Sequence, residues 1–486
     1  MPPPVSPPAP FQEPFIRSLD ESSRSNYQDD PNYYAKYPRS LISISTISSF
    51  TTGTGDAIYK SLAPLLETTN YELILVTCFW ARSSMLETLN TILRKLSNKA
   101  IRRGTEKIRV RLCFSSSSLF QKLFHKQSVT GQTYDRPAWT KQFGLPDPDE
   151  LHGIDLQIKS IFILPFSVMH PKFIIIDRQT VLLPSCNISW EEWFEGAITF
   201  TGPIVSQFTK FYKEFWLREE LPDLPAPTDD DSQPWNADAA GTSNHGHGHV
   251  TTHFSSATKP SDIADIPTIF LPSPHRRNPH FQPFASMEVV SAPPTPLNAF
   301  ILTLLGKAVK SVRIQSPNLT SPPVLTAILS ALRRGIDVSI LTSERLMILE
   351  QLVTAGTTTS RRVKTLIKRY KALERPGERR PATDEESAIA LPRVGRLSVS
   401  YFEPSGGAKA RGDEGGEPQQ SHLKMMSVDG EVLVLGSGNL DRASWFTSQE
   451  LGVAFFDERL VKQIESVVDQ AMQGRAKLVY DSSVGE

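Results

Sequence analysis

The sequence predicts an α/β protein built as two similar halves. Three observations lead there. The first is a repeated stretch: "MHPKFIIIDRQTVLLPSCN" at 169–187 returns as "SHLKMMSVDGEVLVLGSGN" at 421–439. The second is element order. An apolar strand-like run, "YELILVTCFW", is followed by a helix-period segment with Met85, Leu89, Ile92, Leu93 and Leu96, and then by the alternating "KIRVRLCF". Strand, helix, strand implies a sheet with parallel pairing. The third is that helix–strand order recurs in "LNAFILTLLGKAVKSVRIQSPNL" and "VLTAILSALRRGIDVSILTS". Arg-Arg-Gly closes a helix both times, at 102–104 and 333–335. Basic residues in a last turn followed by Gly form an ordinary helix stop, but with the repeated stretches they mark an internal duplication.

The elements divide the 486 residues, too many for one ordinary core, into four parts. Residues 1–44 are rich in Pro and Ser and are expected to lack order. Residues 45–220 form the first half, 221–285 a polar linker or insert, and 286–486 the second half. Two further polar inserts, "ERPGERRPATDEES" and "EPSGGAKARGDEGGEPQQ", are expected as disordered surface loops. "HGHGH" with His253 reads as a flexible polar insert rather than a metal site. From Arg361, Val363, Leu366, Ile367 and Tyr370 share one helical face opposite a basic one; the expectation is a surface helix packed on its own sheet.

Composition narrows the function. Lys+Arg and Asp+Glu are 52 each, so global charge gives no nucleic-acid footprint. Cys78, Cys113 and Cys186 have neither disulfide-framework nor zinc spacing. The opening "MPPPVSPPAPFQEP" does not read as a secretory leader, and no apolar run approaches spanning length. These features predict an intracellular protein, soluble or peripheral to a membrane.

The repeated stretch carries the chemistry. From His170, Lys172, Asp177, Ser185 and Asn187 follow at two, seven, fifteen and seventeen residues; from His422, Lys424, Asp429, Ser437 and Asn439 follow at the same distances. Chance gives one His-x-Lys-x4-Asp match on the order of a few hundredths of a time per chain, so two with matched Ser and Asn are not coincidence. Asp429-Gly430 reads as a two-residue hairpin turn. Setting Val428 opposite Glu431 then places Lys424 against Leu435 and His422 against Ser437, with Asn439 one pleat on. That gathers His, Lys, Ser and Asn into one polar row and leaves Asp429 at the turn as framework. Such a row suits a phosphoryl group: ammonium, hydroxyl and amide for the oxygens, imidazole as nucleophile or acid.

These residues resemble the paired HKD motifs of the phospholipase D superfamily, the second copy being similar to cardiolipin synthase-like and phospholipase D-like members. The resemblance covers about 45–220 and 286–475. It implies two α/β halves, each a mixed sheet flanked by helices, packed as a pseudo-two-fold pair within one chain, so that a monomer holds one active site. It implies metal-independent phosphodiester chemistry without a cofactor, through a phosphohistidine. His170, Lys172, Asp177, His422, Lys424 and Asp429 are its catalytic set; Ser185, Asn187, Ser437 and Asn439 bind phosphate; Glu195 and Glu450 orient the imidazoles. In this scheme His170 attacks and His422 protonates the leaving group, roles that can be reversed. The motif's usual Gly is Pro184 in the first copy, which puts that half's strand geometry in question. The expected activity is hydrolysis or transfer of phosphatidyl groups on a phospholipid at a membrane surface. A nuclease or other non-lipid phosphodiesterase is the second reading, and an inactive phosphate-binding module the third.

Overall fold

The computed structural model describes residues 6–104, 106–117, 125, 128–163, 167–225, 252–253, 263–274, 291–374 and 393–483. The main strands of the first half are β1 (Ile42–Gly53), β2 (Glu72–Phe79), β3 (Ile108–Ser116), β4 (Ile154–Ser160), β5 (Phe173–Ile176), β6 (Thr180–Pro184) and β7 (Trp193–Thr201). Those of the second are β8 (Ile266–Ser273), β9 (Ser311–Ser316), β10 (Asp337–Thr342), β11 (Leu397–Phe402), β12 (Met425–Val428), β13 (Val432–Gly436), β14 (Glu450–Phe456) and β15 (Ala476–Asp481). Eight helices matter below: α1 (Ala9–Glu21), α2 (Gly55–Leu66), α3 (Ser84–Arg103), α4 (Pro296–Lys307), α5 (Pro322–Arg333), α6 (Ile348–Ala355), α7 (Thr359–Glu374) and α8 (Glu458–Met472).

Both halves have the same strand order. The first runs β1-β7-β6-β5-β2-β3-β4, antiparallel up to β2 and parallel from β2 to β4. The second runs β8-β14-β13-β12-β9-β10-β11, again antiparallel up to β9 and parallel beyond, and β15 adds an antiparallel edge. The parallel pairs are the strand–helix–strand units of the sequence, and α3 ends as expected on a left-handed Gly104. Antiparallel pairing of β1 with β8, Ile42 opposite Ile269 through Ser45 opposite Ile266, joins the sheets edge to edge. One apolar cluster runs through this seam, with Phe50, Phe200, Phe208, Phe270 and Phe455 all buried.

Three expectations about order are corrected. From residue 6 on, the N-terminal segment is ordered: α1 turns Phe11, Phe15, Ile16 and Leu19 inward. Phe15 meets Phe300 of α4 edge-on at 5.2 Å, and Phe11 lies 6.2 Å from Phe456 of β14. Pro and Ser dominate its composition, but the apolar residues recur at helical spacing, and burying each stabilises by roughly 1.5–3 kcal/mol. The segment given to the linker also contains β8, the strand that joins the halves, so the second half begins about twenty residues earlier than expected. β8 carries two prolines, Pro267 and Pro272, the composition of a loop, yet the strand is paired on both sides. The "HGHGH" run, the side chain of His253 and most of "ERPGERRPATDEES" lie outside the described residues.

The insert before His422 is ordered. Glu417 takes a two-pronged ion pair from Arg475, and the Gln419 amide donates to the Glu192 carbonyl at 2.7 Å. Arg411 stacks on the Trp190 ring at 3.6 Å. α7 packs as expected, with Val363, Leu366 and Tyr370 buried.

Candidate active site

Each half places its histidine where the first-half and second-half sheets meet, and each histidine is held by the other half. The segment before His170 pairs with the chain before Glu450: the His170 amide donates to the Gln449 carbonyl at 3.0 Å, and the Gln449 amide to the Val168 carbonyl at 2.9 Å. Symmetrically, Gln420–Ser421 runs parallel to Trp193–Phe194, and the His422 amide donates to the Phe194 carbonyl at 2.8 Å. The side chains follow their backbones. His170 Nδ1 is 2.8 Å from Glu450 Oε2, and His422 Nδ1 is 2.7 Å from Glu195 Oε1. Sequence reasoning named both glutamates as orienting the imidazoles; the structure pairs each with the histidine of the other copy. A carboxylate accepts at Nδ1, so that nitrogen carries the proton and Nε2 keeps the lone pair.

The lysines stand two residues on. Lys172 Nζ donates to the His170 carbonyl at 2.9 Å and Lys424 Nζ to the His422 carbonyl at 2.7 Å. Both are buried. The charges of Lys172 and Lys424 act on both imidazoles, so the four groups form one locus rather than two. Burial drives the Lys424 ammonium down to about 7, against the pull of Glu195. Burial also lowers both histidines. His422, 3 % exposed and packed against the Trp193 ring at 4.7 Å, is driven to about 3. His170, with 13 % of its side chain exposed, is lowered by burial against the opposing pull of Glu450. Burial works against the Glu195 carboxylate as well, but His422, Lys424 and the Ser185 hydroxyl hold its pKa below the ordinary value.

The predicted hairpin register is off by one. Val428 faces Val432, Met426 faces Val434 and Met425 faces Leu435. The turn has three residues, Asp429-Gly430-Glu431, with Asp429 and Gly430 at φ 58° and 71°. The first half does the same: Ile176 faces Thr180 across Asp177-Arg178-Gln179. A slip of one residue turns every side chain to the other face. Ser437 and Ser185 therefore leave the polar row. Ser437 donates to Glu450 Oε2 at 2.5 Å and accepts from the Leu451 amide at 3.1 Å. Ser185 donates to Glu195 and accepts from the Gly196 amide. These hydroxyls brace the carboxylates that orient the histidines, and their donor hydrogens are committed, which corrects their assignment to phosphate.

Asp177 and Asp429 lie away from the imidazoles and have no catalytic contact. Asp177 accepts the amides of Asn70, Tyr71 and Glu72 at 2.7–2.8 Å, and Asp429 those of Val309, Lys310 and Ser311 at 2.7–3.2 Å. Each ties the hairpin turn to the start of the neighbouring antiparallel strand, β2 or β9, the framework role read from the turn position. Asn439 stays near the site. Its Nδ2 donates to Asp441 at 3.1 Å, and it shares a cavity wall with Lys424. Asn187 is fixed through Oδ1, which accepts the Phe79 amide at 3.3 Å, leaving its amide hydrogens for a ligand. Pro184 does no harm to the register: it pairs with Ala197, and the next amide, Ser185 N, reaches Gly196 O at 2.8 Å as Ser437 N reaches Leu451 O at 2.9 Å.

Two contributors were missed. Ser444 donates to Glu450 Oε1 at 2.7 Å, and Asp441 is the buried acceptor for Asn439; Trp193 lies on His422. Asp441 left no signal in the repeat, since the equivalent first-half residue is Ser189. Trp445 is buried against the core and borders a small apolar cavity beside Lys424, whereas Trp190 is exposed under Arg411.

Residues 301–472 match the family model described as cardiolipin synthase, PLD-like domain. Over that stretch the chain is similar to the phospholipase D-like family. The architecture agrees: over 96 % of this chain and 94 % of the other it is similar to phosphatidylserine synthase of Haemophilus influenzae Rd KW20, at 14 % identity and a TM-score of 0.53. Nuc, a phospholipase D family member from Salmonella typhimurium, matches over 37 % of this chain and 90 % of its own, at 18 % identity and a TM-score of 0.24. No curated protein sequence matches the chain. No helix among the described residues is long and apolar enough to cross a membrane.

Proposed function

We propose that the chain is a phosphodiesterase acting on phospholipids, cleaving or transferring a phosphatidyl group through a phosphohistidine. The observation that carries this reading is the crossed arrangement: two imidazoles from different halves, each held at Nδ1 by the opposite half's carboxylate, with the charges of Lys172 and Lys424 acting on both. Two bare Nε2 atoms beside two cations suit a phosphodiester. Its anionic oxygens meet Lys172, Lys424 and the Asn187 and Asn439 amides. One neutral imidazole attacks phosphorus while the other, protonated, gives its proton to the departing alcohol oxygen. That second imidazole then takes a proton from water or an acceptor alcohol, which displaces the histidine.

Deep burial beneath Trp193 favours the neutral form of His422, so His422 is the attacking group in this scheme. His170, the more exposed, is the acid, and the order implied by the resemblance is exchanged. The lipid substrate class rests on the family match and on the similarity to a phosphatidylserine synthase.

The test is mass spectrometry of products from mixed-headgroup phospholipid vesicles with added ethanol. The reading expects phosphatidic acid together with phosphatidylethanol, both absent with His422→Ala. Inert lipids alongside cleaved single-stranded DNA would replace this reading with the nuclease one.

A further inference from the structure

Of the thirteen large hydrophobic side chains exposed among the described residues, five fall within seven consecutive positions: Met347, Ile348, Leu349, Leu352 and Val353. They form the outer face of α6, with Leu349 79 % and Val353 54 % exposed, while Gln351, Thr354 and Ala355 face inward. A short helix with its apolar side outward inverts the pattern of a surface helix. Residues 344–374 also carry seven basic and three acidic residues. Of these, Arg361, Lys364, Lys368, Arg369 and Lys371 are on the exposed side of α7, the helix that follows directly.

Both elements are tied to the site. Ser343, just after β10, donates to the carbonyl of Ser421, the residue before His422, at 3.0 Å. From α6, Gln351 Nε2 donates to Asn318 Oδ1 at 2.9 Å; Asn318 Nδ2 lies 3.4 Å from Asp441 Oδ2, the atom that accepts Asn439 Nδ2. Thr359, at the start of α7, closes the loop by donating to Gln351 Oε1. The apolar face is thus anchored by buried polar groups leading to Asn439.

We infer that α6 and α7 form an interfacial docking surface for anionic phospholipid bilayers, α6 entering the headgroup–acyl boundary and α7 lying on the charged surface. Apolar side chains flanked by a net basic strip match such a surface in both layers. A nucleic-acid backbone would use the basic strip and leave Leu349 and Val353 without a role, and a second copy of this chain would have to accept the same positive charge. The inference extends the phospholipid reading by saying where on the molecule the lipid surface lies, but its test reads binding rather than turnover.

The experiment is flotation of the full chain with phosphatidylcholine vesicles, with and without phosphatidylglycerol. Wild type is expected to float with the anionic vesicles. The double variant Leu349→Asp, Val353→Asp is expected to bind at least tenfold more weakly, with unchanged melting temperature and unchanged turnover of a water-soluble aryl phosphodiester. Lys364→Glu with Lys368→Glu is expected to weaken binding about fivefold per site, an effect that salt erases. Absence of wild-type binding overturns the inference. So does undiminished binding by the Leu349/Val353 variant, loss of dimerisation in that variant in place of vesicle binding, or binding of single-stranded DNA that tracks only the lysines. Vesicle binding that responds as expected in a protein inert toward every phosphodiester upholds the docking surface and rejects the proposed enzyme activity instead.

Discussion

At the scale of single residues, the site depends on who holds each imidazole. Glu195→Gln keeps the shape but removes the charge behind His422. The expected result is a fall in kcat of about 10²-fold or more with little change in KM, because the imidazolium and phosphohistidine lose their counter-charge. Ser437→Ala, which only frees Glu450 from a brace, is expected to cost less than about tenfold. The pH dependence follows from burial. His422 sits at about 3 against an ordinary 6.5, so the unfolded chain binds a proton that the folded chain refuses across that window. Stability is therefore complete above 6.5 and falls as pH drops, a slope that calorimetry at pH 4–7 should reduce in His422→Asn. Lys424 at about 7 is charged only below that value, so kcat/KM is expected to decline above pH 7 as phosphate loses one of its cations. The histidines, lysines and glutamates were legible because type and spacing were repeated. The crossing of the pairs was not, since matched offsets within one copy say nothing about which copy's carboxylate lies closest in space.

At the scale of elements, the hairpin shows how a small error in the turn becomes a large one in the site. Asp-Gly between apolar runs is the usual mark of a two-residue turn. Here the Asp side chain is committed to three amides of the neighbouring strand, which holds the turn at three residues and rotates Ser437 toward Glu450. Asp177→Ala strands three amides at the head of β2. It is expected to destabilise by about 2–4 kcal/mol while leaving kcat per folded molecule unchanged, which denaturant titration and active-site normalisation together would check. Helix α1 illustrates the opposite failure. Its proline- and serine-rich composition hid Phe11, Phe15, Ile16 and Leu19, whose partners lie almost 300 residues and more away, beyond the reach of any local pattern. Phe15→Ala is expected to cost about 3–5 kcal/mol.

At the scale of the whole molecule, strand order is the same in both halves and the halves close on each other edge to edge. The α/β class and the two-part layout were readable from strand–helix order and the repeated stretch, because both are local periodicities. The joining strand β8 was not, because its prolines look like a linker and its pairing is long-range on both sides. The central claim is that the two motifs form one site. Single variants His170→Ala and His422→Ala, assayed separately on the same phosphodiester, test it most directly. One shared site predicts that each variant alone loses about 10³-fold or more of wild-type turnover. Two independent sites would leave each variant with about half, and that result would contradict the account.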